Sequence, residues 1–182
     1  MSQTQNSTGQ SEPIADFSQC HDGIFKKLDM LGELPMLIEP AQRAREVAEK
    51  SLEFFREAIF EHHLDEEREL FPAVLESALD DAERAKVQAM NKRLTDEHRE
   101  LERIWKGLES GLKKVVKGQF TDVDVVQIQR LVTQYRAHAQ FEEREYLPLA
   151  QLILGRNGDH MAALGMSMHM RHQNPTAFQF YI

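Results

Sequence analysis

The sequence has little of what marks several common protein classes. Its 182 residues include a single cysteine, Cys20, so no disulfide can form within the chain, which fits a reducing compartment. No apolar run is long enough to cross a membrane, and the polar N-terminal segment lacks the apolar core of a signal peptide. We therefore expect a soluble cytoplasmic protein that does not associate with membranes.

Basic residues are also in the minority. The 22 Lys and Arg residues are outnumbered by 30 Asp and Glu residues, which gives a formal net charge of −8. Nucleic-acid-binding proteins usually present a basic face, so we expect no nucleic-acid partner. The length, with 41% hydrophobic and 29% charged residues, suits a single globular domain with a sizeable core.

Apolar residues recur every three or four positions over four long stretches, the spacing of amphipathic helices. Gly32 and Pro35 are expected to end the first helix, Asp80 and Asp81 to separate the second from the third, and Gly118 to end the third. The expected ranges are about 14–31, from about Pro40 to Pro72, where the helix kinks or ends, about 82–116, and from Asp122 or Asp124 to Gly155.

Four long helices with short connections predict an all-α fold, specifically an up-down-up-down four-helix bundle. A short fifth helix is expected at about His160–Met170. We divide the chain into a disordered N-terminal tail (1–13), the bundle (14–155) and a C-terminal helix and tail (156–182). The apolar chain end, Phe178–Ile182, is expected to dock on the bundle or on a second subunit, so a homo-oligomer is one expected assembly.

One segment of the second helix is repeated in the fourth. Residues 60–72 read FEHHLDEERELFP, and residues 137–148 read AHAQFEEREYLP. When the two prolines are aligned, both copies contain a His-x-x-x-Glu pair, and each has a lone histidine about forty residues upstream. The repeated set is His21, His62 and Glu66 in the first copy, and His98, His138 and Glu142 in the second.

This repeated set predicts a metal centre. Residues four apart in a helix share a face, so the His and Glu of each pair point to the same space. Four imidazoles and two carboxylates in an apolar interior are costly unless cations neutralise them, and nitrogen and oxygen ligands without thiolate suit iron, manganese or zinc. The two-fold pattern assigns His21 and His62 to one metal and His98 and His138 to the other. Glu66 and Glu142 would bridge, and positions would remain open for water or a small molecule.

The residues beside the repeated pairs receive other roles. The second copy has Ala139 where the first has His63, so His63, Glu67, Arg68 and Glu69 are interpreted as a solvated charged face. The inward row of the second helix is expected to continue through Leu70 and Ala73. Glu102, four residues after His98, is either an additional metal ligand or a surface partner of Arg99 or Lys106.

Three further features have two interpretations each. Tyr135, one turn before His138, is a core aromatic or a hydrogen-bond donor to a metal-bound species. Cys20 is a packing residue or a redox-active thiol. The C-terminal methionines and histidines fill gaps against the bundle or bind copper(I).

The pattern His21-Asp22, His62…Glu66…Leu70-Phe71-Pro72, Glu97-His98 and His138…Glu142…Leu147-Pro148 resembles the hemerythrin-like family, also called the HHE cation-binding domain. The resemblance covers about residues 14–150. It implies a four-helix bundle around a non-haem di-iron centre, oxo- or hydroxo-bridged, with His21, His62, Glu66, His98, His138 and Glu142 as ligands. The rival ferritin-like bundles carry Glu-x-x-His, and no histidine here has a Glu three residues before it.

The chain departs from the oxygen-carrying hemerythrins at two positions. Those proteins have a further His where this chain has Glu102, and an Asp where it has Glu143. The four-His, two-Glu set is more similar to bacterial di-iron proteins linked to iron–sulfur repair and nitrosative stress, but residues 1–19 lack the cysteine of their N-terminal segment. These departures argue against simple reversible oxygen storage.

The function that this resemblance implies is binding of, or reaction with, O2, NO or peroxide at a pair of iron ions, in sensing, stress response or redox chemistry. Manganese or zinc are the alternative metals. Two other functions remain open: donation or storage of iron for iron–sulfur repair, and a purely structural metal site. The sequence leaves open whether the protein is an enzyme.

Overall fold

The structure is a computed structural model that describes residues 13–119 and 122–156. Within these ranges every regular element is helical, which confirms the all-α class, and no helix there is both long and apolar enough to span a bilayer. The expected N-terminal tail up to residue 12 and the expected fifth helix fall outside the described residues. The chain divides into two compact units, Met1–Ala44 and Arg45–Ile182.

The first helix differs from the expected one. α1 is a single helix from Pro13 to Phe54, so Gly32, Pro35 and Pro40 do not end it. A proline inside a helix leaves the carbonyl four residues earlier without its backbone donor. Every described side chain from residue 23 to residue 44 is exposed, so water can reach those carbonyls and satisfy them. The expected break between two helices is therefore wrong.

The second unit continues this helical path and then adds two more. After α1 come the π-helical turn π1 (Phe55–Ile59), α2 (Phe60–Asp65), π2 (Glu66–Leu70) and α3 (Phe71–Glu76). The next path is the long helix α4 (Asp81–Val116). The last path consists of α5 (Val125–Phe141), π3 (Glu142–Tyr146) and α6 (Leu147–Leu154).

The expected boundaries of the third and fourth helices, which are α4 and the α5–α6 path, are confirmed. Asp80 caps α4 by accepting a hydrogen bond from the Glu83 N–H at 2.8 Å, and Asp124 caps α5 in the same way through Gln127 at 3.0 Å. Gly118, with φ of 66°, follows the end of α4, where a residue with a side chain would be strained. Gly155 follows the end of α6.

Pro72 does not end its helix, and the reason lies in the turn before it. In π2 the Phe71 N–H bonds to the Glu66 carbonyl, five residues back, so the turn contains one extra residue. Because of the extra residue, the positions that face the core after the turn lie one residue later in the sequence than a regular helix predicts. Phe71 and Val74 are buried, and the expected Leu70 and Ala73 are only partly so.

Two apolar cores hold the three helical paths together. Val87 near the start of α4 shares a core with Ile153 of α6, and Leu108 near its end shares the other core with Leu131 of α5, so α4 runs opposite to the α5–α6 path. Leu94 of α4 belongs to the core with Val87, and Leu101 of α4 belongs to the core with Leu108. His98 lies between them, and the polar cluster described next occupies that level.

Candidate metal centre

A polar cluster lies between the two apolar cores, and its members come from all three helical paths. Its buried members are the five residues that form the two groups able to share a cation, each 6% exposed or less: His63, Glu66, His98, His138 and Glu142. Such groups are rarely buried without partners, so their convergence requires an explanation.

Four of these groups offer ligand atoms that all lie within 4.8 Å of one another: Glu66, His98, His138 and Glu142. Glu66 joins two paths, because its Oε2 lies 3.3 Å from His98 Nε2 and its Oε1 lies 3.5 Å from His62 Nε2. His138 Nε2 lies 3.2 Å from Glu142 Oε1. Four of the six ligands predicted from the repeat are thus brought together.

These four groups fit a cation. His98 Nε2, His138 Nε2, Glu66 Oε2 and Glu142 Oε1 are all buried, and their contacts with one another do not have hydrogen-bond geometry. Leaving one such atom unsatisfied costs about 1–3 kcal/mol, and more for a charged group. Imidazole nitrogens and carboxylate oxygens together suit a transition metal, and coordination would satisfy all four atoms at once.

Burial and neighbouring groups shift the pKa values of both carboxylates of the cluster. Burial raises the pKa of Glu66 above its usual value, although His98 opposes the effect. Burial also acts to raise the pKa of Glu142, but contact with His138 outweighs it and the pKa is lowered. Two carboxylates in one buried space resist ionising together, and a cation would remove this conflict.

The remaining predicted ligands are placed differently. His62 is at the edge of the cluster, with a side chain 47% exposed, and contacts Glu66 as described. His21 is an exposed residue of the first unit. Among the described residues it belongs neither to the group of four above nor to the second group that could hold a metal, His63 with His98 and His138. Glu102 pairs with Arg99 at 3.2 Å, as in its surface interpretation, and approaches His63 Nδ1 at 3.6 Å. The side chain of Cys20 and the Met-rich C-terminus fall outside what the structure describes.

His63 is the clearest disagreement with the sequence interpretation. It is 1% exposed and therefore not part of a solvated face. Its ring stacks on His98 with centroids 3.9 Å apart, and both of its nitrogens lack a hydrogen-bond partner. Burial, and then the neighbouring His98 and His138, lower its pKa to about 2. Since residues 62 and 63 are three and four positions after the buried Ile59, periodicity alone does not decide which faces inward.

Two carboxylates outside the predicted set contact His98 and His138. Glu67 Oε1 lies 2.8 Å from His98 Nδ1, and Glu97 Oε2 lies 2.9 Å from His138 Nδ1. The sequence pattern predicts a surface position for Glu67 and no role for Glu97. The one available signal was their position beside a predicted ligand, which does not distinguish them from other acidic residues of these helices.

Comparison with known proteins agrees with this site. The hemerythrin HHE cation binding domain matches residues 12–150. An uncharacterized protein of Haemophilus influenzae is 28% identical over 164 residues, which cover 84% of this chain and 90% of the relative. No solved structure matches the chain significantly. The family match spans most of the sequence and includes both copies of the repeat, so this chain belongs to the hemerythrin HHE cation binding domain family.

Proposed function

We propose that the buried cluster is the core of a non-haem di-iron centre that binds or reacts with O2, NO or peroxide. The observation that carries this proposal is the set of four buried, unpartnered ligand atoms of Glu66, His98, His138 and Glu142. Because these atoms already lie close together, a cation would be bound with little rearrangement of the chain. Manganese and zinc are the alternative occupants of the same donor set.

The ligands divide as the repeat suggests. His98 and His138 would hold one ion, and Glu66 and Glu142 would bridge to a second ion held by His62. The contacts of Glu66 with imidazoles on two helical paths support its role as a bridge. His21 as the second histidine of that ion, and the up-down-up-down connectivity of four helices, are parts of the proposal that rest on the repeat.

The surroundings of the site would control access to it. A cavity of about 190 Å³ between α4 and α5 is lined by six residues, including Glu97, Leu101 and His138, and it is large enough to admit a diatomic molecule or peroxide. The apolar cores above and below the cluster exclude bulk water. When bound, iron would supply electron exchange with the small molecule, while the chain holds the ligands in place and limits what enters.

The test is the metal content and the optical spectrum of protein produced with iron. We expect a pair of iron ions per chain and near-ultraviolet charge-transfer bands that change when the reduced protein meets O2, NO or peroxide separately. His138→Ala and Glu142→Ala should lose iron, whereas Glu100→Ala, a change at a partly exposed residue that lines the cavity but is not a proposed ligand, should retain it. Wild-type protein with native helix content and one iron or none would overturn the proposal.

Iron donation is a second candidate, favoured by the half-exposed His62 at the edge of the cluster. A ligand open to solvent gives a competing chelator or an iron-free acceptor protein a place to attack. Fast transfer of iron to an apo iron–sulfur protein under reducing conditions would support donation. Retention of iron over the same period would favour chemistry at the bound site.

A further inference from the structure

Two histidines of the cluster, His98 and His138, each contact a carboxylate on the side of the ring away from the shared space. His98 and His138 turn Nε2 towards the shared space and Nδ1 towards Glu67 and Glu97, at 2.8 and 2.9 Å. We propose that Glu67 and Glu97 are positioning residues of the metal centre, each fixing the orientation and the proton of one ligand imidazole. This inference rests on the proposed metal centre but does not depend on which metal it binds.

The two contacts have the same construction. Each carboxylate uses one oxygen for the imidazole and the other for an arginine: Arg99 donates to Glu67 Oε2, and Arg93 Nε donates to Glu97 Oε1 at 2.8 Å. The arginine side chains are about half exposed, 55% and 51%, while the carboxylates are 16% and 31% exposed. Each arginine therefore adds a charge-assisted contact to the carboxylate that lies against a buried ring.

The contacts also decide which ring nitrogen carries the proton. A carboxylate accepts hydrogen bonds, so Nδ1 must be the protonated nitrogen of a neutral His98 or His138. The Nε2 lone pair is then left for the cluster, where both Nε2 atoms are buried and unpartnered. The carboxylates thus select the tautomer that can bind a metal, and they make the imidazole a stronger donor.

The placement follows from the helices. Glu67 follows the candidate ligand Glu66 and reaches His98 on α4; Glu97 precedes His98 and reaches His138 on α5. Neighbouring residues of a helix point roughly 100° apart. One therefore faces the cluster while the next faces the adjacent helix. Each of the first two helical paths in this way supports the histidine of the path that follows it in the chain.

The experiment compares Glu67→Ala and Glu97→Ala with Glu100→Ala as the matched control. Glu100 is also bound by arginines, Arg103 and Arg130, but no contact with an imidazole is found for it. The first measurement is nitrogen-15 NMR of the histidine rings in metal-free protein. At a pH high enough for both rings to be neutral, we expect His98 and His138 of the wild type and of the control to carry their single proton on Nδ1. The variants should lose this preference, each at its own histidine.

The second measurement is metal affinity by competition with a chelator. Loss of such a partner typically weakens metal binding by about 10–100-fold, so each variant should do so while the control stays within about twofold of wild type. If an alanine variant does not fold, Glu67→Gln and Glu97→Gln serve instead, because an amide of the same shape can still accept from Nδ1–H. They should keep the tautomer and weaken binding less.

The outcomes separate this inference from the proposed function. A wild type that binds metal, with variants that match the control in tautomer and affinity, would overturn the positioning role alone. A wild type that binds no metal would overturn the metal centre, and the positioning role with it. Altered tautomers together with weaker metal binding would establish the role.

Discussion

At the scale of single residues, the buried imidazole of His63 makes the metal-free protein sensitive to acid. Its pKa in the folded state is about 2, below the ordinary histidine pKa of 6.5, so the unfolded chain takes up a proton there that the folded chain does not. The stability this gives is present above pH 6.5 and is lost as the pH falls from 6.5 towards 2.

We predict that His63→Phe, which retains an aromatic ring against His98, reduces this sensitivity. Between pH 7.5 and pH 5.5 the wild type should lose about 1.4 kcal/mol more unfolding free energy than the variant, the value for one pKa unit below 6.5. Urea unfolding of metal-free protein at both pH values measures this difference. Equal losses in the two proteins would show that His63 is protonated in the folded state.

The buried phenol of Tyr146 gives a second prediction at this scale. The side chain is 1% exposed and its hydroxyl has no hydrogen-bond partner, while burial and then Glu66 and Glu142 raise its pKa. Tyr146→Phe removes an unsatisfied group without changing the ring. We expect the metal-free variant to be more stable by about 1 kcal/mol, as measured by urea unfolding. A loss of stability would mean that the hydroxyl donates a hydrogen bond within the cluster.

The repeat explains how much of the site could be predicted residue by residue. It picked out Glu66, His98, His138 and Glu142, because duplicated chemistry at one spacing is improbable on a surface. It misplaced His63, which has no counterpart in the second copy, and it could not reveal Glu67 or Glu97. Their role depends on which helix is adjacent, and spacing within one helix carries no such information.

At the scale of elements, the π-turns are what the sequence pattern missed. π2 and π3 begin at the equivalent residues Glu66 and Glu142 and both precede a helical Pro-containing turn, so the duplication extends to the backbone. An apolar period of three to four residues assumes a regular helix. An extra residue shifts every later position, which is why Phe71 and Val74 are buried in place of the expected pair.

Deleting Glu69 together with Pro72→Ala tests this account. Removing the extra residue makes the segment a regular helix in which Phe71 and Val74 still follow Glu66 at inward positions, so the double variant should fold. Glu69 deletion alone should be less stable than the double variant by about 3 kcal/mol, since Pro72 then sits inside a regular helix. Urea unfolding of both proteins measures the difference.

The control deletes Gln88 from α4, which has no π-turn to absorb the change. Every later α4 side chain, His98 included, should rotate by roughly 100° relative to Val87, and cooperative unfolding should be lost. If both deletions are tolerated equally, or neither is tolerated, the extra residue of π2 does not determine which of the later residues face the core.

At the scale of the whole molecule, composition and periodicity were enough for the helical class, and the motif was enough for the family. The course of the first helix was not predictable in the same way. Gly32, Pro35 and Pro40 are helix breakers on average, but their cost depends on whether water can satisfy the freed carbonyls. That depends on burial of the segment, which local sequence does not determine.

Metal removal is the prediction that involves the molecule as a whole, because the proposed ligands lie on all three paths of the second unit. An ion bound to the folded state alone adds unfolding free energy of about 2.7 kcal/mol when its free concentration is a hundred times its Kd. We therefore expect the iron-loaded protein to unfold at higher urea concentration than the metal-free protein. The difference should shrink as the pH falls, since histidine must be neutral to bind a metal. Glu142→Gln, which keeps the shape of a proposed bridge but not its charge, should lose most of the difference, and Glu100→Gln should keep it. Identical unfolding curves with and without iron, in protein shown to retain the metal, would mean that the ion is held outside the cluster that joins these helices.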